Sequence, residues 1–143
     1  MSASLLARDL SEQIAGRQVV VVVGAGVSIA ASGGAKAASW TGLLTTAIDR
    51  CEQLAHNLPA GWGERIRGQI DSGDSYELHS AADNVTHRLG GRHSGKYRRW
   101  LRETIGRLRL RDPAAPEAIA RLGAPIVTTN YDDLLEQATG LTR

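Results

Sequence analysis

The sequence has only one cysteine, Cys51, among its 143 residues. A single thiol cannot form an intrachain disulfide, and it cannot supply the four-cysteine ligand set of a structural zinc module. No apolar run approaches the ~20 residues that a transmembrane helix needs, and no charged-then-apolar leader is found at the start. We therefore expect a cytoplasmic protein that uses no metal ion and has no membrane partner.

A large excess of one charge is also missing, because 17 basic and 15 acidic residues leave a formal net charge of +2. This value does not indicate a nucleic-acid partner. Fifteen of the basic residues are arginine, and many lie between Arg88 and Arg111. That segment predicts a solvated helix face, with a subunit contact or a nucleic-acid contact as alternatives. Few aromatic residues are interleaved with the arginines, so nucleic acid is the weaker alternative.

A chain of this length, 42 % hydrophobic, can form one domain with its own core. Its most distinctive stretch is the valine run Val19–Val23, which predicts a parallel strand buried on both faces. Gly24, Ala25 and Gly26 follow, where missing side chains let backbone N–H groups approach a ligand. A helix that opens just after Ser28 would add unpaired donors, so the stretch predicts a phosphate or pyrophosphate site.

A second landmark lies near the other end of the chain. Pro125–Thr128 predicts a short apolar strand that leads through Asn130 to a helix capped by Asp132 or Asp133. Ligands of open α/β sheets bind beyond the carboxyl ends of parallel strands. If the two strands are neighbours, we expect Asn130 and Asp132 to face the glycine turn (residues 24–28) across one crevice.

Between these landmarks the apolar spacing predicts helices and no further strand. The predicted fold class is α/β, with a Rossmann-like parallel sheet that is partial within this chain and a large helical insertion at about residues 41–123. Two parallel strands make a poor sheet, so we expect later strands of the same polypeptide or a partner to cover it. The predicted helices lie at about residues 4–15, 41–54, 62–70, 75–89, 95–108 and 113–122. The first is amphipathic, and the second has one apolar stripe made of Leu43, Leu44, Ala47, Ile48, Cys51 and Leu54.

Two local patterns refine this outline. The segment Ala30–Ser39 consists almost entirely of small residues, which predicts a helix start that passes into a mobile loop. Asp74 and Glu77 have the spacing of a capping box at the start of a helix.

Three motifs in this order resemble the SIR2 family, and most closely the SIR2-like domains of bacterial anti-phage defence proteins. They are Gly24–Ser28 after the valine strand, Ser39–Leu44 downstream, and Thr128–Asp132 near the end. The resemblance extends from about Val19 to Glu136. It implies one SIR2-like domain over residues 1–143, which we expect to be the N-terminal part of a longer domain or protein.

The resemblance implies hydrolysis of NAD⁺ to ADP-ribose and nicotinamide, with NAD⁺ as the substrate. Asn130 would hold the nicotinamide ribose and position the attacking water, and Asp132 would contact the carboxamide. Positive charge develops on the ribose as nicotinamide leaves, so oxygen ligands and a carboxylate nearby stabilise the transition state. The residues implied to contact the dinucleotide are Gly24, Ala25, Gly26, Ser28, Thr128, Asn130 and Asp132.

Each of these residues also has a plainer interpretation. The glycine turn can connect strand and helix without any ligand, and Asn130 and Asp132 can be helix caps. Ser28 is either a helix cap or a phosphate ligand. The glycine turn lacks the third glycine of the dehydrogenase fingerprint, since Ile29 occupies that position, so hydride transfer is disfavoured.

The family's second catalytic residue is a histidine after the asparagine motif. The four histidines here, at positions 56, 79, 87 and 93, all precede Asn130. Either that histidine lies beyond Arg143, or the chain binds NAD⁺ without efficient hydrolysis. Gly90–Tyr97 fits the phosphate-loop spacing except at Tyr97, which cannot place a small hydroxyl on Mg²⁺, so it predicts a turn between helices rather than ATP hydrolysis.

The leading hypothesis is therefore an NAD⁺-hydrolysing effector module of antiviral defence. As the resemblance implies, it would act as a homo-oligomer, with a C-terminal sensor domain, or with an accessory defence protein. The alternatives are a non-catalytic module that binds NAD⁺ or ADP-ribose, and a purely architectural domain. Protein deacylation is disfavoured because its zinc module needs four cysteines.

Overall fold

The computed structural model describes residues 3–54 and 57–141, and the chain is 64 % helical with a small two-stranded parallel sheet. The strands are β1 (Val21–Val23) and β2 (Ile126–Thr128). The helices are α1 (Ala3–Ala15), α2 (Ala25–Ala31), α3 (Trp40–Leu54), α4 (Trp62–Asp71), α5 (Ser75–Arg88), α6 (Gly95–Thr104), α7 (Ala114–Ala120) and α8 (Leu134–Thr139).

The chain divides into two compact units. Unit 1 comprises residues 1–33 and 109–143 and holds both strands with α1, α2, α7 and α8. Unit 2 comprises residues 34–108 and holds α3 to α6. Because the strands of unit 1 are far apart in sequence, their parallel pairing needs the long connection that unit 2 occupies.

Unit 2 is built around α3, which packs against α4, α5 and α6. The apolar stripe predicted for α3 is buried, apart from Leu54, which is 40 % exposed. Burial raises the pKa of the Cys51 thiol to about 11, because the thiolate would lose its hydration. The largest fully buried side chains of the unit are Ile48, Ile66, Leu89, Val85 and Cys51.

Polar contacts fix the ends of these helices. The side chain of Asp74 accepts hydrogen bonds from the N–H groups of Tyr76 and Glu77, so it caps α5 as predicted. The reciprocal half of the predicted capping box is wrong. The Glu77 carboxylate accepts instead from Gln69 at 2.8 Å, and the Asp74 N–H donates to Ser72.

The predicted mobile loop at residues 30–39 contains regular structure. α2 continues to Ala31, and Lys36–Ala38 forms a 3₁₀ helix before α3. The Ser39 hydroxyl donates to the Lys36 carbonyl at 2.9 Å and accepts the Gly42 N–H at 3.1 Å. A Cβ at Gly42 would overlap the Lys36 backbone, so glycine allows this close packing. The motif around Ser39 thus has a structural role within unit 2.

An ion-pair cluster joins α3 to α4 at the surface of unit 2. The Arg67 guanidinium donates to both oxygens of Glu52, at 3.0 and 2.8 Å, and to Asp49 at 2.7 Å. The hydrogen bond from Arg67 lowers the pKa of the Glu52 carboxyl, because the bond favours its ionised form. The same contacts raise the pKa of Arg67.

In unit 1, β1 and β2 pair in parallel, with Val21 opposite Ile126 and Val23 opposite Thr128. The expectation that the valine strand is buried on both faces is wrong. Val23 is 3 % exposed, but Val22 is 68 % exposed, and its register partner Val127 is 50 % exposed. Successive residues of a strand point to opposite faces, and no other described element covers the face that Val22 and Val127 share.

Three helices of unit 1 pack against one another. α2 contacts α7 and α8, and these two contact each other, around the buried side chains of Ala31, Pro116 and Leu134. The amphipathic helix predicted near the start is confirmed as α1. Its apolar stripe is largely exposed, since Leu6 and Leu10 are each 51 % exposed.

No helix among residues 3–54 and 57–141 is both long and apolar enough to cross a membrane.

Candidate functional site

The pairing of the two strands brings their carboxyl ends to one edge of the sheet. The ladder continues past β2, where the Thr129 N–H donates to the Val23 carbonyl at 3.1 Å. Gly24 follows β1, and residues 129–133 follow β2, so both connections leave the sheet at the same end. This is the edge at which open α/β sheets bind ligands.

Ser28 lies inside α2, and the expectation that a helix opens after it is wrong. Gly24 has extended backbone angles, φ −122° and ψ −166°, and α2 begins at the next residue. A single extended residue is enough to turn the chain from strand to helix. Ser28 therefore sits one turn into α2, where it is 2 % exposed, and it does not cap the helix. Its hydroxyl donates to Oδ2 of Asp132 at 2.7 Å.

Asn130 connects the two strand ends. Its side-chain amide donates to the Gly24 carbonyl at 2.9 Å and to the Ser28 hydroxyl at 2.7 Å. Its backbone N–H donates to the Thr128 hydroxyl at 3.0 Å, which fixes the turn after β2. None of these three contacts is a helix cap, so the cap interpretation of Asn130 is wrong.

The Asp132 carboxylate bonds both to the glycine turn and to the start of α8. Oδ2 accepts from the Ser28 hydroxyl, and Oδ1 accepts from the Leu134 N–H at 3.1 Å, which satisfies the first turn of α8. Asp133 precedes α8 but makes no side-chain cap bond to it, and its carboxylate accepts from Gln137. The carboxylate that faces the glycine turn is therefore that of Asp132.

Ser28, Asn130 and Asp132 form one chain of hydrogen bonds, which we call the strand-end network. The serine hydroxyl accepts from the amide and donates to the carboxylate, so both of its hydrogen-bonding roles are used. Residues more than 100 positions apart in sequence are thereby held within 2.7 Å of each other. Part-buried networks of this kind rigidify the groups that they connect.

The glycines of the turn are exposed and have room around them. A Cβ at Gly26 would meet no atom within 4 Å, and one at Gly24 would meet only the Thr129 hydroxyl at 3.8 Å. Packing within the chain does not require glycine at either position. Ala25 is exposed beside them, and Thr128 is half-buried. The strand end thus presents backbone that an outside group can approach.

Thr129 is a site residue that the sequence reasoning did not single out. Its hydroxyl donates to the Val23 carbonyl at 3.4 Å, and the same hydroxyl would lie 3.8 Å from a Cβ at Gly24. The sequence feature that could have identified it is its position directly after Thr128, because successive residues of a strand point to opposite faces of the sheet.

The described histidines lie outside the unit that carries the network. His79 and His87 are on α5, and His93 is in the turn before α6. His56 lies outside the described residues. No cluster of three or more His, Cys, Asp or Glu side chains that could hold a metal ion occurs in the part of the chain that the structure describes.

Compared with known proteins, this chain matches no family model, no curated protein and no solved structure.

Proposed function

We propose that this chain is an NAD⁺-hydrolysing domain of SIR2-like type, which cleaves NAD⁺ to ADP-ribose and nicotinamide. Its sheet would be part of a Rossmann-like fold, and the helices at about residues 41–123 would be an insertion between the two strands. As the sequence resemblance implies, the domain would act in the cytoplasm as an effector of bacterial antiviral defence, as an oligomer or with a sensor partner.

The observation that carries this proposal is the strand-end network. Asn130 and Asp132, which the resemblance assigns to the nicotinamide ribose and the carboxamide, lie with Ser28 and Gly24 at the carboxyl ends of two paired parallel strands. A dinucleotide that crosses this edge would meet the glycine turn and the amide on the same side of the sheet.

The glycines add a second argument. Gly26 lies in the first turn of α2, and glycine favours a helix less than alanine does. No neighbouring atom in the described chain compensates this disadvantage, because the space beside Gly26 is open. Close approach of a ligand to the backbone would account for the missing side chain.

The chemistry requires few protein groups. The bond between the ribose C1′ and the nicotinamide nitrogen breaks, nicotinamide leaves as a neutral molecule, and water forms the new bond to C1′ and loses a proton. The transition state has oxocarbenium character, which the Asn130 side-chain oxygen and the Asp132 carboxylate would stabilise electrostatically. Because the strand-end network holds both side chains in place, little reorganisation is needed during the reaction.

A specific observation favours a second candidate, a module that binds NAD⁺ or ADP-ribose without hydrolysis. The Asn130 amide and the Ser28 hydroxyl are already engaged with each other, and Asp132 also caps α8. Side chains whose hydrogen bonds are made within the protein can form part of a binding surface, but they have less capacity left to activate a water molecule.

Two measurements on the full chain distinguish the candidates. Nicotinamide release from NAD⁺ is followed by chromatography, and NAD⁺ binding is followed by calorimetry. We expect Asn130→Ala and Asp132→Asn to reduce release by about 100-fold, as is typical for loss of a transition-state contact. Asp133→Asn is the matched control, because this neighbouring carboxylate lies outside the strand-end network and should leave release within about twofold.

The outcomes are separate. Release that depends on Asn130 and Asp132 but not on Asp133 supports hydrolysis at this site. Binding without release in the unaltered protein selects the binding module. Release that all three variants retain removes the strand-end network from the reaction, and the absence of both binding and release contradicts both candidates.

A further inference from the structure

Unit 2 contains a concave site of its own, which neither the NAD⁺ proposal nor the fold requires. A cavity of about 590 Å³ opens between the C-terminal parts of α3 and α5 and the start of α6. Its volume falls in the range of small-molecule sites. Its lining includes three cationic side chains, those of Arg50, Lys96 and Arg99.

The excess of positive charge in this region favours a negatively charged ligand. From Arg88 to Arg107 the sequence has seven basic residues and one acidic residue, Glu103, whereas the rest of the chain has ten basic and fourteen acidic residues. Glu103 forms an ion pair with Arg50 at 3.3 Å. No ion pair with Lys96 or Arg99 occurs among the described residues, so these two cations remain available to an anion.

Of the basic residues on α6, only some line the cavity. Lys96 and Arg99 are three residues apart and share one face of α6, which borders the cavity. Arg98 and Arg102 are four residues apart, and neither side chain lines the cavity. Arg98 lies about 200° around the helix from Lys96, whereas Arg102 follows Arg99 by three residues. α6 therefore carries two groups of cations, and only one of them lines the cavity.

The turn before α6 shapes the wall of this cavity. Gly90 has φ +88°, which disfavours any side chain there, and a Cβ would lie 3.1 Å from Ser94. The Ser94 hydroxyl donates to the Leu89 carbonyl and accepts from the Tyr97 N–H. The segment with phosphate-loop spacing is thus a turn between helices, as predicted, and its lysine lies at the rim of a cationic cavity.

We propose that this cavity binds a small organic phosphate, such as a nucleoside monophosphate. The phosphate lies against Lys96 and Arg99, since a guanidinium binds phosphate oxygens in a bidentate manner and an ammonium supplies a compact charge. The organic part lies against Leu54, an apolar side chain that is 40 % exposed and lines the cavity. A bounded cavity with an apolar wall fits such a ligand better than a polynucleotide, which needs a continuous track of cations.

The probe is uridine 5′-monophosphate, which lacks both the adenine and the nicotinamide of NAD⁺. Calorimetry on the full chain compares it with uridine and with inorganic phosphate. We expect one-to-one binding of the nucleotide, weaker binding of phosphate because it cannot contact Leu54, and none of uridine.

Two double variants test the assignment with equal changes of net charge. Lys96→Ala with Arg99→Ala should weaken nucleotide binding about 10-fold or more, which corresponds to about 1.4 kcal/mol. Arg98→Ala with Arg102→Ala removes the same charge from α6 without altering the lining of the cavity, and should change the affinity by about twofold or less because solvent screens these exposed charges. All four side chains are exposed, and circular dichroism verifies that both variants fold.

Four results would overturn the proposal: no nucleotide binding, equal loss in the two double variants, equal affinity for phosphate and nucleotide, or binding of oligonucleotides alone. Because the residues and the ligand differ from those of the strand-end network, failure here leaves the NAD⁺ proposal standing. Loss of NAD⁺ cleavage in Asn130→Ala likewise says nothing about this cavity.

Discussion

The two units of this chain differ in how much of their apolar sequence is buried. Unit 2 buries the stripes of α3, α4 and α5 against each other, and among its described large apolar side chains only Trp40, Leu54 and Tyr76 are exposed. Unit 1 leaves many apolar side chains in solvent. Its exposed large hydrophobic residues are Leu5, Leu6, Leu10, Val20, Val22, Ile29, Leu122, Val127, Tyr131 and Leu141.

The difference follows from the architecture of each unit. Four helices that meet around α3 can each bury one stripe, so a small bundle closes on itself. A sheet of two three-residue strands has two faces, and the described helices of unit 1 leave one of them open. The polar groups of unit 1 are nevertheless tightly connected through the strand-end network. Unit 2 is thus organised by apolar packing, and unit 1 by hydrogen bonds at the strand ends.

The largest expected effect is the difference in thiol reactivity between a buried position in unit 2 and an exposed position in unit 1. The Cys51 thiol, with its pKa raised to about 11, should react with a thiol reagent at pH 8 about 100-fold more slowly than an ordinary cysteine of pKa ~8.5. The matched probe is Val22→Cys in a Cys51→Ala background, which should react at nearly the unfolded rate. Equal rates at the two positions would mean that unit 2 opens readily.

The raised pKa of Cys51 makes the stability of the folded protein depend on pH above ~8.5. The thiol stabilises the folded protein fully below ~8.5, and this contribution is lost as the pH rises through about 11. Alkaline unfolding of Cys51→Ala, compared with the parent chain, measures it.

A pair of identical substitutions tests the packing difference directly. Val85→Ala removes methyl groups from a side chain that is 1 % exposed, so we expect a loss of about 2 kcal/mol from transfer and cavity terms together. Val22→Ala removes the same groups from a side chain that is 68 % exposed, and should cost about 0.5 kcal/mol or less. Denaturant unfolding measures both. Similar losses would show that the valine face is covered in solution.

We expect loss of the strand-end network to destabilise unit 1. Ser28→Ala removes the donor to Asp132 and the acceptor of the Asn130 amide, so it should cost about 1.5 kcal/mol. Ser11→Ala is the control, because that serine is exposed on α1 and bonds only within its own helix. Hydrogen exchange should localise the loss to unit 1. A loss no larger than that of Ser11→Ala would mean that water replaces the network.

The smallest effect concerns the surface pair of unit 2. Arg67 lowers the pKa of Glu52, so the pair stabilises the protein above ~4.3, and its contribution is lost as the pH falls through the lowered value. Because 41 % of the Glu52 side chain is exposed, solvent screening limits the contribution to about 0.5 kcal/mol. Glu52→Gln should lower the melting temperature at pH 7, and the decrease should be smaller at pH 3, below the usual pKa of a glutamate. Glu64→Gln, a change at an exposed glutamate on α4, should leave it unchanged at both.

Much of this arrangement could be predicted from local patterns. The two strands and the helices of unit 2 follow from apolar spacing, and the predicted stripe of α3 contains the buried Ile48 and Cys51. The periodicity did not single out Trp100, which is 4 % exposed, because arginines surround it in α6. The helix predicted over residues 95–108 ends earlier, at Thr104, and continues as a 3₁₀ turn.

The candidate site was only partly predictable. Gly24, Asn130 and Asp132 stood out because glycine and polar residues directly after apolar strands are unusual without a reason. The bonds among them could not be read from the sequence, since they depend on strand register and on where α2 begins. Ser28 illustrates this, because a shift of the helix start by a few residues would turn its hydroxyl away from Asp132.

Sequence alone determined both strands, most of the helices, and which residues carry polar groups at the strand ends, because local backbone preferences and apolar periodicity act over a few neighbouring positions. Tertiary structure decided that β1 lies beside β2, that one valine face stays exposed, and that Ser28, Asn130 and Asp132 share hydrogen bonds. These features join residues about a hundred positions apart, and only the packing of the whole chain brings such residues into contact.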